Sequence, residues 1–200
     1  MNRIDYQKKI IAALTWLKTQ VEMHNSITLT DINHGAEDFY CGLLNLVYGY
    51  NLKNINITAQ NAAAIDLGDE HSKIAIQVTS TSALGKTKYT VEKFIEKELY
   101  KKFDRLFILN IVKKTNHDAA TIGGPKYFLD TKADIIDVED LIKKITSDPD
   151  LKKLKAIADF LDDELSLPVQ KSLPNEVLTI LGIIEFISDE EHEDAGSGYL

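Results

Sequence analysis

The sequence predicts an α/β fold with a mixed sheet flanked by helices. Three observations carry this expectation. Ile4–Met23 and Asn33–Tyr48 repeat apolar residues at helical spacing. Short segments between Leu52 and Thr79 alternate apolar with polar residues, as half-buried strands do. Leu106–Val112 is almost continuously apolar, the pattern of a strand covered on both faces. Helices, then a strand cluster, then helix and strand is not the regular alternation of a doubly wound sheet.

In the first helix Ile10, Ile11, Leu14, Leu17 and Val21 recur every three or four residues. A second helix, capped by Asn33, places Ala36, Phe39, Tyr40, Leu43, Leu46 and Val47 on one face and ends at Tyr48-Gly-Tyr-Asn51. Leu52–Thr58, Ala63–Leu67 and Ile74–Thr79 read as three strands of an antiparallel meander, with Gly68-Asp-Glu-His-Ser72 as a turn. A helix from Lys86 to Lys102 turns Val91, Phe94, Ile95 and Leu99 inward. Gly123-Gly-Pro125 is a loop, Ala133–Val138 a last strand and Val138–Ile145 a short helix. Helical segments then run from Asp148-Pro149 to Leu165 and from Asn175 to Ile187. The expected division is a domain over 1–147 and a helical extension or linker over 148–200. Its acidic end, about 189–200, is expected to be disordered and to lead to a downstream domain of a longer protein.

Composition bounds the function classes. The 200 residues are 44% hydrophobic and 27% charged, as in ordinary globular proteins. The longest apolar runs are far short of a membrane span, and MNRIDYQKK is followed by no apolar leader region. The expectation is a cytoplasmic protein with no membrane partner. The single cysteine, Cys41, permits no internal disulfide and is expected to be a buried structural thiol. The net charge of -8 disfavours nucleic acid as a whole, but the charge is uneven. Lysines and Arg105 crowd the window from Lys86 to Lys114, while Asp159–Glu164 and Ser188–Asp194 are acidic.

Gly85-Lys86-Thr87 after a strand matches only the second half of a phosphate-binding loop. The first glycine of that motif would stand where Ser80 does, and the later apolar strand offers Asn110 where a metal-binding Asp is needed. Nucleotide binding is therefore not the expectation. The histidines show no zinc spacing with Cys41.

The strand Ile74–Thr79 carries a different signal. Ile74, Ile76 and Val78 share one face; Ala75, Gln77 and Thr79 share the other. Asp66 is a lone carboxylate among apolar neighbours, which is costly without a partner or a cation. Ten residues separate it from Gln77, enough for a hairpin that sets the two side by side.

This pattern resembles the PD-(D/E)xK nuclease superfamily, whose core is a helix, an antiparallel hairpin, a helix and a further strand. Asp66 matches the motif's Asp, and Gln77-Val78-Thr79 its tripeptide in the Gln-first form of Mrr-like restriction enzymes, with Thr79 in place of the lysine. More closely, N-A-A-A-I-D-L-G-D (Asn61–Asp69), I-A-I-Q-V-T-S-T (Ile74–Thr81) and Lys86, Thr90, Lys93 and Phe94 are similar to the SMEK domain, found at the N-terminus of bacterial proteins. The resemblance implies a restriction-endonuclease-like fold and a place in antiphage defence. It implies a divalent-metal-dependent DNA endonuclease module using Mg2+ or Mn2+. Asp66, Gln77, the Val78 carbonyl and Glu37 would be ligands, and Lys86 the stabilising cation. Thr79 would position water, Lys88 would be a reserve for Lys86, and Lys86, Lys88 and Lys93 would contact DNA. The alternative it leaves open is a nuclease fold that no longer cleaves and serves binding or homo-oligomerisation. The expected partners are duplex DNA, further copies of the chain and a downstream domain.

Overall fold

A computed structural model describes residues 2–27, 31–55, 64–118 and 120–165. The expected helix 175–187 and the acidic end lie outside them, as do 56–58 of the first expected strand and Ala63 of the second. The described residues fall in one compact unit, Met1–Ser166.

The architecture is α/β. Helices α1 (Asn2–Ser26) and α2 (Asp31–Tyr48) precede strands β1 (Lys53–Asn54), β2 (Leu67–Asp69) and β3 (Ile74–Thr79). Helix α3 (Leu84–Glu96), a 3-10 turn at Leu99–Lys101 and strand β4 (Arg105–Asn110) follow. Next come β5 (Thr121–Gly124), β6 (Tyr127–Asp130), β7 (Ile135–Asp137), α4 (Val138–Thr146) and α5 (Leu151–Glu164). Five strands form one mixed sheet in the order β1-β2-β3-β4-β7. The first three are antiparallel neighbours, as the alternating pattern predicts, while β4 runs parallel to β3 and β7 parallel to β4.

Both faces of the sheet are covered. Ala75, Leu106, Ile108 and Ile135 join Val91 and Phe94 of α3 in one core. Helix α2 packs on β3, while α1 packs against α2, α4 and α5, and α5 packs also against α2. Helix α5 buries Leu154, Ile157, Ala158 and Leu161, and its Phe160 ring lies 5.6 Å from that of Phe39 on α2. A helix that the sequence assigns to an extension beyond residue 147 is thus packed inside the same compact unit.

Several elements depart from their expected bounds. Helix α2 begins at Asp31, so Asn33 lies within its first turn and is not the cap. The strand expected over Ala63–Leu67 is realised as Leu67–Asp69: Ala64, Ile65 and Asp66 precede it, and Gly68 and Asp69, expected in a turn, belong to it. The reversal moves on to residues 70–73, where Lys73 takes the left-handed conformation at φ 59°. Gly68 is small for packing: a Cβ there would meet Ile55 Cδ1 at 2.6 Å and Phe103 Cζ at 2.9 Å. Helix α3 stops at Glu96, well before Lys102, because Glu98 turns left-handed at φ 55°. Gly123-Gly-Pro125 is not a bare loop but the tip of the β5–β6 hairpin. Its Ile122 and Leu129 point into the α3 core, and Tyr127 Oη accepts a hydrogen bond from the Leu106 amide at 2.8 Å. Cys41 is half-buried, and its thiol donates to the Leu52 carbonyl. Burial, with a smaller contribution from Asp38, pushes the thiol's pKa up. Among the described residues no helix is long and apolar enough to cross a membrane.

Candidate functional site

The site is built where β2 meets β3. The register pairs Leu67 with Ile76, and the Asp66 amide donates to the Ile76 carbonyl at 3.0 Å, so the ladder reaches one residue beyond the strand. Alternation along β3 then turns Gln77 toward the same side as Asp66. Both are buried, at 7% and 9% exposure. Burial without partners would be costly for a carboxylate. Asp66 Oδ2 accepts from the Val78 amide at 2.8 Å and also from Gln77 Nε2. The same Gln77 nitrogen donates to the Val78 carbonyl at 3.1 Å. The amide orientation follows from this network: turned over, it would set Oε1 against the carboxylate oxygen.

The other expected residues divide into two groups. Glu37, on α2, and Thr79, at the end of β3, line one cleft of about 170 Å3 with Ala36, Val78, Ser80 and Ile111. Glu37 Oε2 accepts from Asn54 Nδ2 at 3.4 Å. Thr79 Oγ1 accepts from the Thr81 amide at 3.1 Å, which shapes the loop into α3. Lys86 and Lys88, in the first turns of α3, are exposed. Lys86 makes no hydrogen bond through its ammonium to Asp66, Gln77, Thr79 or Glu37. Lys88 lies along a groove between α3 and β5 that Val91, Glu92, Ile122 and Gly123 also line. Lys93 is paired with Glu96 at 2.6 Å and lies over the Tyr89 ring.

A hard divalent cation needs several oxygen ligands around one point. Among the described residues no three His, Cys, Asp or Glu side chains gather as a metal group would require. The two oxygens best placed to share a cation, Asp66 Oδ2 and the Val78 carbonyl, share the Gln77 nitrogen instead. In this arrangement the Gln77 side-chain nitrogen donates to both of these oxygens.

The sequence reading missed two features beside this pair. Asp69 is buried and clamps the reversal by accepting from the amides of Asn51, His71 and Ser72 at 2.8, 2.9 and 3.0 Å. Its position directly before a turn was the available signal. Much of the basic window is internally neutralised: Lys101 pairs with Glu98, Lys102 with Glu70 and Arg105 with Asp134.

Fold and site define an α/β domain with a mixed five-stranded sheet and a buried carboxylate–amide pair joining its second and third strands. A family model, the SMEK domain, matches residues 9–146, and the chain belongs to that family. No curated protein and no solved structure matches the chain.

Proposed function

We propose that this chain is a PD-(D/E)xK-type nuclease-fold module of a bacterial antiphage-defence protein that engages DNA without cutting it. Support for the fold relationship comes from the order α2-β1-β2-β3-α3-β4, a helix, an antiparallel set, a helix and a further strand. The Asp66–Gln77 pair on adjacent strands adds to it.

One observation favours the loss of cleavage: the third position of the tripeptide, at the end of β3, holds a hydroxyl and not a charged side chain. Thr79 occupies the lysine's position in the tripeptide, and its hydroxyl is engaged by the Thr81 amide. Lys86 is exposed at the start of α3 and makes no ion pair among the described residues. Electrostatic stabilisation of developing charge depends on groups held in place before reaction, and an exposed lysine is not so held. Lys86 and Lys88 are instead suited to contacting the phosphate backbone.

The test has two arms. Fluorescence anisotropy with a short duplex, in EDTA at low salt, should show binding that the double variant Lys86→Ala, Lys88→Ala loses. Plasmid incubated with Mg2+ or Mn2+ should stay supercoiled. Nicking that requires Mn2+ and disappears in Asp66→Asn would replace this reading with the metal-dependent endonuclease. Absence of any DNA binding by the wild type would leave the module to protein assembly.

A further inference from the structure

We infer that the Gln77 amide nitrogen stands in for a cation, so that the domain holds its β2–β3 junction together without metal and has no affinity for one there. The inference rests on the nuclease-fold reading for what the site descends from, but its physical content is separate. Gln77 Nε2 lies between Asp66 Oδ2 and the Val78 carbonyl oxygen and donates to both. An amide NH2 has two hydrogens and a partial positive charge, enough to bridge one anionic and one neutral oxygen. The Val78 amide supplies a further donor to the same carboxylate oxygen at 2.8 Å. At 7% exposure for Asp66 and 9% for Gln77, bulk water screens this arrangement poorly.

A metal ion placed between Asp66 Oδ2 and the Val78 carbonyl oxygen would have to displace that nitrogen. It would break two hydrogen bonds, one of them to a charged group, and require the amide to turn its oxygen inward. The residue type is therefore decisive. Glutamate is nearly isosteric with glutamine but brings a second carboxylate against Asp66. Two carboxylates sharing a buried site repel, and a divalent cation between them relieves the repulsion. One atom's change should convert a metal-indifferent junction into a metal-dependent one.

The experiment is a thermal melt of the full chain at neutral pH, in EDTA and in millimolar Mg2+, Ca2+ or Mn2+, for wild type, Gln77→Glu, Gln77→Met and Asp66→Asn. The wild type should melt at the same temperature in every buffer. Gln77→Met, which fills the space without a donor, should melt lower and be equally indifferent to metal. Gln77→Glu should melt lower in EDTA and recover by about 5 °C or more in Mn2+. A wild-type melting temperature that rises in Mn2+, and no longer does so in Asp66→Asn, would overturn the inference. So would a folded Gln77→Glu variant indifferent to metal. Should Gln77→Glu fail to fold, Mn2+ binding to the wild type by electron paramagnetic resonance decides, since a bound ion lost in Asp66→Asn contradicts it. The outcome is separable from the functional reading. Loss of DNA binding leaves the melts unaffected, whereas wild-type nicking with a metal-raised melting temperature removes both.

Discussion

Replacing Asp66 by alanine removes an acceptor from a place water hardly reaches. Asp66 Oδ2 receives the Val78 amide at 2.8 Å and the Gln77 side-chain amide. After truncation the Gln77 nitrogen keeps its bond to the Val78 carbonyl, but the Val78 main-chain N–H, in the middle of the sheet, has lost its acceptor. A buried donor left unmet costs about 1–3 kcal/mol, and the weakened amide adds roughly 1, so the expected loss is about 3 kcal/mol. For a chain of this length that lowers the melting temperature by about 6–12 °C. Circular dichroism melts of wild type, Asp66→Ala and Asp66→Asn measure it. Asp66→Asn keeps an oxygen for the Val78 amide and should lose about 1 kcal/mol, since only a charge-assisted bond becomes neutral. An Asp66→Ala melt within about 1 °C of wild type would refute the reasoning, because it would mean the carboxylate carries no junction. The ranking also matters for activity assays: Asp66→Ala confounds lost chemistry with lost structure, and Asp66→Asn does not.

Asp69 makes stability depend on acid. Burial alone pushes its carboxyl up, but the amides of Asn51, Ser72 and His71 outweigh burial and hold it at about 2, below the ordinary 3.8. A depressed pKa contributes stability that is fully present above the unfolded value, about 4, and is lost as pH falls through about 2. Urea midpoints of wild type and Asp69→Asn should therefore differ at pH 6 and converge toward about pH 2; a constant difference would count against the clamp. Gly123→Ala should destabilise the β5–β6 hairpin by about 2–3 kcal/mol. Gly123 has φ +135°, and an added Cβ would stand 2.3 Å from the Tyr127 carbonyl oxygen. Tyr127 fluorescence or hydrogen exchange at Leu106 reads the loss, since the Leu106 amide is held by Tyr127 Oη.

What the sequence made legible is what periodicity encodes. The alternation Ile74, Ile76, Val78 against Ala75, Gln77, Thr79 is the alternation of β3 in the folded chain, and it places Gln77 on the side of Asp66. The apolar run at Leu106–Leu109 is β4, covered by α3 on one face. Where a residue serves two purposes the reading slipped. Gly68-Asp69 has turn composition, but Gly68 is small because Ile55 and Phe103 press on it, and Asp69 reaches forward to clamp a turn it does not occupy. The β5–β6 hairpin escaped because Gly123-Gly-Pro125 marks its reversal while its four-residue strands are too short for alternation to stand out. At the site, side-by-side placement followed from the separation of Asp66 and Gln77. The direction of the amide did not, because it depends on the Val78 main chain.

The basic window shows how a sum of charges misleads about a surface. From Lys86 to Arg105 the sequence presents a run of cations that suggests a phosphate footprint. In the folded chain Lys93, Lys101, Lys102 and Arg105 each meet a carboxylate, two of them within α3 or its end and two from elsewhere in the chain. Lys86 and Lys88, at the first turns of α3, are exposed. On the proposed reading these two lysines carry the phosphate contacts of this unit. Two neutralised phosphates correspond to a slope of about -2 in log affinity against log salt, far shallower than a dedicated DNA-binding surface. DNA held by this unit alone is therefore held weakly.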